Sequence, residues 1–248
     1  KSPPVIRNTI SGMIKDKYCP TDILMLLINC VTAGMNFVIG GEPGSGKTEF
    51  VKFLMQFIPL EKRVITIEDS LEIHYSEINS DADAVELRVG EDFSYTDAIK
   101  ACLRQNPMWL VLSEARSVEV TSLIEQWSTG VNGITTIHLD DLRKLPDRIE
   151  NMMNDVNDAS RLENRIYRYV NVGVLIRREK EADGGIRRYI DQMCFYVREE
   201  HKNRVYMLVE DGEIISRKIP ADIAKRLKLA GIDEFFWCDL DPFIKRGM

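Results

Sequence analysis

The sequence contains the run Gly41-Glu42-Pro43-Gly44-Ser45-Gly46-Lys47-Thr48, which matches the phosphate-loop pattern GxxxxGK[ST]. Its glycines allow backbone amide groups to converge on phosphate oxygens, and the positive end of a following helix points at the same place. Lys47 is suited to reach the β- and γ-phosphates, and the Thr48 hydroxyl is suited to Mg²⁺, which prefers an octahedral oxygen shell. We therefore predict that residues 41–49, up to and including Glu49, bind a nucleoside triphosphate.

Apolar residues flank this run with the spacing of a strand before it and a helix after it. Residues 36–40 predict a short buried strand, and apolar positions from Phe50 to Phe57 recur at helical spacing. Ser94 and Asp97 predict a capping box at the start of a later helix. Further apolar strands are predicted at residues 63–67, 109–112 and 134–137. Helical patterns lie between these strands, and such alternation is typical of an α/β fold with a doubly wound, mainly parallel sheet.

The pattern changes after about residue 170, where strand-like runs surround two glycine turns. Gly184-Gly185 and Asp211-Gly212 have the composition of hairpin turns, and residues 221–229 predict a terminal amphipathic helix. The predicted fold is a mainly parallel sheet flanked by helices, followed by C-terminal β-hairpins and a terminal helix. The predicted parts are the end of a linker (1–20), a phosphate-loop core (21–170) and hairpins with a helix packed on that core (171–248).

The composition is that of a globular protein with a full apolar core. Of the 248 residues, 44% are hydrophobic and 29% are charged, and the length favours one α/β domain with an appendage. The net charge of -6 argues against a protein that grips nucleic-acid phosphates, because that affinity comes from clustered lysines and arginines. We therefore expect no direct nucleic-acid partner.

Cysteine spacing and hydropathy favour a reducing, aqueous compartment. The five cysteines are scattered and form no CxxC pair, so neither a disulfide framework nor a zinc site is predicted. The most apolar stretch, residues 23–39, is interrupted by polar residues and falls short of the roughly 20 apolar residues that span a bilayer. The chain begins with Lys1 and lacks a signal-peptide pattern, so we expect it to be a piece of a longer protein or one with its start trimmed.

The predicted strand at residues 109–112 is followed closely by an acid. Leu110-Val111-Leu112 is followed by Ser113 and Glu114, a pattern similar to a Walker B strand. At such a position Glu114 is suited to orient the water that attacks the terminal phosphate. No aspartate precedes it, so we expect metal contact mainly from Thr48 and waters, with Glu114 acting through water. A solvated acid at the end of a strand is the alternative interpretation.

Two further groups of polar residues follow predicted strands. Glu68, Asp69 and Glu72 come after the strand that follows the loop, where one of them is suited to act as a base or to reach a metal ion. A threonine-rich strand ends in His138, which is suited to sense the γ-phosphate. Each group has a plainer alternative, because acidic turns are often solvated surface and a single histidine is usually structural.

The order of these motifs resembles that of the type II/IV secretion ATPase family over about residues 7–153. The family's Walker A loop, Asp box, Walker B strand and His box are similar to residues 41–48, 67–72, 110–114 and 129–138. Residues 101–107 resemble its arginine-bearing stretch, and residues 4–7 resemble the end of the linker from its N-terminal domain, which the resemblance implies is absent from this chain. The most similar branch is that of tight-adherence pili and conjugative systems.

The resemblance implies a RecA-like fold and Mg²⁺-dependent hydrolysis of ATP that powers a secretion, pilus-assembly or conjugation machine. It implies a homohexamer in the cytoplasm, held at the inner face of the cell membrane through an inner-membrane platform protein. The site residues that it implies are Glu68, Glu114 and His138 for catalysis, and Thr48, Asp69 and, through water, Glu114 for the metal ion.

A cation from a neighbouring subunit commonly completes the site of a phosphate-loop ring. Arg88, Arg104 and Arg116 are the candidates for such an arginine finger. Each has an ordinary alternative as a member of a surface ion pair, and the sequence does not rank them.

Several positions depart from the family pattern, and among them Asn106, Met108 and Trp109 replace residues that are usually charged. Ser113 replaces a glycine before the Walker B glutamate, Val131 replaces the first histidine of the His box, and Glu49 stands where a second threonine is common. Ser113 and Val131 favour, as an alternative, a nucleotide-binding ring scaffold that hydrolyses little ATP. A nucleic-acid translocase is the other alternative, and the acidity of the chain opposes it.

Overall fold

A computed structural model gives the fold of residues 8–152 and 159–244. The strands are β1 (Phe37–Gly41), β2 (Val64–Glu68), β3 (Ala84–Arg88), β4 (Trp109–Leu112), β5 (Asn132–Ile137), β6 (Val172–Lys180), β7 (Ile186–Glu199), β8 (Lys202–Glu210) and β9 (Glu213–Ile214). The helices are α1 (Ile10–Lys15), α2 (Thr21–Thr32), α3 (Lys47–Met55), α4 (Tyr75–Ile78), α5 (Tyr95–Cys102), α6 (Glu119–Ser128), α7 (Leu145–Glu150), α8 (Ala159–Tyr169), α9 (Ala221–Leu229) and α10 (Asp241–Ile244). The linker-like residues 4–7 and the end of the family resemblance at Met153 lie outside the described residues.

These strands form one sheet with the order β3-β2-β4-β5-β1-β6-β7-β8-β9. Neighbours from β3 to β6 pair in parallel, and the pairs from β6 to β9 are antiparallel. Strands β1, β2, β4 and β5 therefore end at one edge of the sheet, where the phosphate loop begins. In an open parallel sheet this carboxyl edge is where ligands bind.

The sheet is buried on both faces. Val38 packs in one apolar cluster with residues of α5, α6, α7 and α8, whereas its neighbours Phe37 and Ile39 pack in another with residues of α2, α3 and α9. This alternation follows from the twofold period of a strand. The central strands β1, β2 and β4 are buried along their whole length, as expected for parallel strands covered by helices on both sides.

The predicted C-terminal hairpins continue the main sheet. β6 pairs in parallel with β1 and antiparallel with β7, so the chain reverses in the loop that contains Gly184-Gly185. β8 turns back to the short β9 at Asp211-Gly212, and α9 occupies the predicted residues. The mainly parallel α/β fold with terminal hairpins and a helix is thus confirmed.

Several elements were not predicted from sequence. β3 is an edge strand whose side chains are half-buried, so it lacks the continuous apolar run of the inner strands. Helix α4 is short, and α8 precedes β6 in a region for which no element was predicted. In the part of the chain that the structure describes, no helix has both the length and the apolar character needed to cross a bilayer.

Candidate nucleotide-binding site

The phosphate loop connects the carboxyl end of β1 to the amino end of α3. Gly44 and Gly46 have φ angles of 74° and 98°, in the left-handed region that favours glycine. A Cβ added to Gly41 would lie 2.6 Å from both the carbonyl oxygen of Ile176 and Oγ of Ser45, so a larger residue would displace the turn. The loop therefore places its backbone at the positive end of a helix, the arrangement that binds phosphate.

The Lys47 side chain folds back across the loop and is only 8% exposed. Its Nζ donates to the carbonyl oxygens of Gly41 (2.9 Å) and Glu42 (3.0 Å) and lies 3.3 Å from Nδ1 of His138. Burial lowers the pKa of the Lys47 ammonium, and the Glu114 carboxylate opposes this shift. A polyanion on the loop would add negative charge beside the ammonium and stabilise its charged form.

Glu114, which follows β4, joins His138 and Arg116 in one network. Its Oε1 lies 2.7 Å from Nε2 of His138. Its Oε2 accepts a hydrogen bond from Nε of Arg116 (2.7 Å) and lies 2.6 Å from Nη2 of the same guanidinium. Because Nδ1 of His138 faces Lys47, the histidine bridges the loop lysine and the acid. The structure thus brings together Lys47, His138 and Glu114, which the sequence assigned to the site. Arg116, a candidate arginine finger, joins them through Glu114.

The Arg116 guanidinium also contacts the acidic turn after β2. Its Nη1 donates to Oδ2 of Asp69 (3.0 Å), and Nε of Arg88 donates to the Asp69 carbonyl oxygen (3.3 Å). The Asp69 amide donates to Oη of Tyr95 (3.1 Å), which lies 2.9 Å from Oγ of Ser113. Two of the three arginine-finger candidates, Arg88 and Arg116, therefore contact the carboxyl edge of the sheet of their own chain.

Ser113 stands where the family has a glycine, and its hydroxyl group is within hydrogen-bonding distance of the Tyr95 hydroxyl. The Ser113 carbonyl accepts a hydrogen bond from Oγ1 of Thr136 (2.7 Å), which ties β4 to β5 just before Glu114 and His138. The backbone just before Glu114 is therefore tied to β5 through the carbonyl of residue 113, and the serine hydroxyl adds a contact with Tyr95 of α5.

Val131 and Arg104 lie at the opposite edge of the sheet. Val131 precedes β5 and His138 follows it, so the strand separates them by about 20 Å. Arg104 lies between the end of α5 and the start of β4, also at the amino edge, and its side chain is exposed. Neither residue joins the site of its own chain.

Glu68 ends β2 and is completely buried. Its Oε2 accepts hydrogen bonds from the amides of Glu72 and Ile73, both at 2.9 Å, whereas the Glu72 side chain is exposed. Among the described residues, Oε1 of Glu68 has no hydrogen-bond partner. Burial raises the pKa of this carboxyl group. A buried oxygen without a partner is unfavourable, which suits a group that acquires one from a ligand.

The oxygen donors at this edge fit Mg²⁺ that retains most of its waters. Thr48 is half-buried in the first turn of α3, and Glu68, Asp69 and Glu114 end neighbouring strands. In residues 8–152 and 159–244, no group of three or more His, Cys, Asp or Glu side chains is arranged to hold a metal alone. Mg²⁺ commonly binds one or two protein groups together with waters and substrate phosphates, and this donor set accommodates that arrangement.

Two arginines that the sequence analysis did not single out lie beside the loop. A Cβ added to Gly44 would lie 3.1 Å from Nη1 of Arg178, and one added to Gly46 would lie 3.1 Å from Cδ of Arg188. The hairpin turn at Gly184-Gly185 is the sequence signal that pairs their strands. Nothing local in the sequence relates that hairpin to the loop.

The family described as Type II/IV secretion system protein has a sequence profile that matches residues 13–174, which include the loop, Glu68, Glu114 and His138. The chain belongs to the type II/IV secretion system protein family.

Relatives in this family include proteins of secretion and conjugation systems. An uncharacterized protein of Bacillus anthracis is 37% identical over 146 residues, covering 58% of this chain and 33% of the relative. The type IV secretion system protein VirB11 of Brucella suis is 29% identical over 183 residues, covering 70% of this chain and 51% of VirB11. The chain therefore spans about half the length, or less, of these curated members of the family.

The chain shares its fold with solved structures of two ATPases and a pilus retraction motor. The Brucella suis VirB11 ATPase, in complex with sulphate, matches with a TM-score of 0.60 and 23% identity over 79% of this chain and 65% of VirB11. The Legionella pneumophila ATPase DotB matches with a TM-score of 0.63 and 19% identity over 79% of this chain and 52% of DotB. The pilus retraction motor PilT with bound ADP matches with a TM-score of 0.61 and 19% identity over 92% of this chain and 58% of PilT. The fold is thus the RecA-like phosphate-loop fold.

Proposed function

We propose that this chain binds ATP at residues 41–49 and hydrolyses it as the motor subunit of a type II/IV secretion, pilus-assembly or conjugative-transfer machine. The observation that carries the proposal is the continuous contact from Lys47 through His138 to Glu114. It joins a phosphate-binding lysine to an acid suited to orient water. The relatives VirB11 and DotB are named as ATPases, and PilT was solved with bound ADP, which supports the same activity here.

In the proposed reaction the loop amides and Lys47 hold the phosphate tail. A water oxygen attacks the γ-phosphorus, the bond from that phosphorus to the β–γ bridging oxygen breaks, and ADP and phosphate form. Glu114 orients this water and accepts a proton from it. The two ring nitrogens of His138 face Lys47 and Glu114, so a change at Lys47 when the γ-phosphate binds is transmitted through the imidazole to the acid.

Mg²⁺ would supply positive charge that stabilises the phosphate oxygens as charge develops on them. Thr48 would contact the ion, and Asp69 and Glu114 would contact it through water. Glu68, with its unpartnered Oε1, would accept a hydrogen bond from one of these waters.

Arg116 would act within its own chain. It contacts both Glu114 and Asp69, so it positions the acid relative to the acidic turn. Arg104 is exposed at the far edge of the sheet and remains the candidate for a finger that acts on a neighbouring subunit.

Membership of the family supports a proposal for the assembly. We propose a homohexamer that works in the cytoplasm against an inner-membrane platform protein. Relatives named for type IV secretion (VirB11), conjugal transfer (TrbB of Rhizobium radiobacter) and pilus retraction (PilT) support this setting.

One observation favours a second function, a nucleotide-binding scaffold that hydrolyses little ATP. The Glu114 carboxylate lies between two basic side chains: Oε2 accepts a hydrogen bond from Arg116, and Oε1 lies 2.7 Å from Nε2 of His138, although it has no hydrogen-bond partner among the described residues. If this pairing persisted with nucleotide bound, the acid would be unable to accept a proton from water. Tight ATP binding without multiple turnover would favour the scaffold.

The decisive experiment measures phosphate release by the full-length chain with ATP and Mg²⁺, and again with EDTA. The motor proposal expects multiple turnovers that EDTA abolishes. ATP binding is measured in parallel with a fluorescent ATP analogue. Absence of binding would reject the whole proposal, and turnover that survives EDTA would reject the metal assignment.

A further inference from the structure

The β6–β7 hairpin places two guanidinium groups beside the phosphate loop of the same chain. Arg178 and Arg188 are opposite each other in the antiparallel register of the two strands. Directly opposite residues have Cβ atoms about 5 Å apart, and like charges at such positions repel each other. Their side chains reach the loop at different points, Arg178 at Gly44 and Arg188 at Gly46.

Other arginines of the hairpin have partners inside the protein. Arg177 forms an ion pair with the buried Asp191, with Nε and Oδ2 separated by 2.6 Å. The Arg187 guanidinium lies over the Tyr189 ring, 4.7 Å from its centre. Within the described residues, the guanidinium groups of Arg178 and Arg188 make neither an ion pair nor a hydrogen bond.

The loop beside this pair contains a polar group that also lacks a partner. Ser45 is 1% exposed, and its Oγ has no hydrogen-bond partner among the described residues. A polyanion between the loop and the hairpin would accept hydrogen bonds from both guanidinium groups and reduce the repulsion between them.

We infer that Arg178 and Arg188 are ligands of the nucleotide's phosphate tail, which is held between the loop and the β6–β7 hairpin of a single chain. The inference rests on the proposed function, because it names further groups at the same site. Arg178 approaches the middle of the loop and Arg188 the start of α3, so both are adjacent to the backbone that holds the phosphates. Arginine recognises phosphate through a fork of donors.

The test measures binding of a fluorescent ATP analogue to the full chain, with displacement by ATP and by inorganic triphosphate. The variants are Arg178→Gln, Arg188→Gln and the double change, and Arg187→Gln is the matched control on the same strand. Each single change is expected to weaken both competitors roughly tenfold, the effect of losing one charge-assisted hydrogen bond. The control is expected to remain within about twofold of the parent chain.

The outcomes separate the two proposals. If the parent chain binds ATP but Arg178→Gln and Arg188→Gln bind both competitors like the control, the arginine assignment is wrong and the proposed function survives. Weaker ATP binding with unchanged triphosphate binding would also overturn it, because the arginines would then contact the base or ribose. If the parent chain does not bind ATP, both proposals fail. Thermal unfolding of each variant verifies that it is folded. If a glutamine variant does not fold, the Arg→Lys variant at the same position takes its place in the binding measurement.

Discussion

The Nε2 atom of His138 lies 2.7 Å from Oε1 of Glu114, although the two residues follow different strands. Strands β4 and β5 are parallel neighbours, so their carboxyl ends meet at the edge where β1 enters the phosphate loop. The contact makes the environment of the acid depend on a histidine that also faces Lys47.

Changing Glu114 to glutamine should separate binding from hydrolysis. Glu114→Gln removes the proton acceptor but leaves the loop and Lys47 intact. Turnover is expected to fall by about 100-fold or more, and ATP affinity should remain within about threefold. Steady-state phosphate release and fluorescent-nucleotide titration measure the two effects. Glu125→Gln, an exposed change on α6, is the control; equal turnover in both variants would remove Glu114 from the mechanism.

Changing Lys47 to alanine should weaken both binding and turnover. The ammonium is buried against the loop carbonyl groups, and a phosphate tail would be its compensating partner. We expect ATP affinity to fall at least about tenfold. Lys225→Ala, on the exposed side of α9, is the control. Unaltered affinity in Lys47→Ala would mean that residues 41–48 do not bind the phosphates.

Arg116 should act on its own chain's site. Arg116→Gln is expected to lower turnover about tenfold or more, because Glu114 loses the group that orients it. The variant is mixed with Lys47→Ala, which keeps Arg116 but lacks a working loop. A finger acting between subunits would restore activity in mixed rings, whereas the contacts in the structure predict no recovery. Activity above the sum of the separate variants would contradict this prediction.

Ionisation of the Glu68 carboxyl group should lower the stability of the fold as the pH rises. Burial raises its pKa above the ordinary value of 4.5, so the folded chain holds this proton more tightly than the unfolded chain. Its stabilising contribution is therefore complete below pH 4.5 and is lost as the pH rises through the folded-state pKa. Glu68→Gln has no carboxyl group to ionise, so it should escape this loss. The Tm of the variant minus the Tm of the parent chain should therefore be larger at pH 8 than at pH 4.5 by about 2 °C or more.

Over the same pH range, turnover of the parent chain should rise relative to that of Glu68→Gln, because only the parent gains a carboxylate that can serve the metal waters. The exposed Glu61→Gln is the control for loss of a charge. A Tm difference between Glu68→Gln and the parent chain that does not change with pH would show that the carboxyl group titrates normally in the fold.

Local pattern was sufficient for the elements that carry strong signals. The capping box of Ser94 and Asp97 forms at the start of α5, because its hydrogen bonds join residues three apart in sequence. The apolar strand at β2 ends in Glu68 at the carboxyl edge, as predicted. The edge strand β3 escaped prediction because an edge position leaves side chains half-buried and removes the continuous apolar run.

The sequence by itself determined the phosphate loop and the polar residues that end the inner strands. Glycine conformations, helix polarity and the shared edge of parallel strands are consequences of local pattern and of chain direction. These properties were enough to select Lys47 and Glu114 for one site, and the resemblance to the family added His138.

Only the tertiary structure decided which side chains meet there. The pairing of Glu114 with Arg116, the unpartnered oxygen of Glu68 and the approach of Arg178 and Arg188 to the loop depend on packing between distant segments. No local period encodes such contacts, because they are fixed by strand register and by burial after the whole sheet has formed.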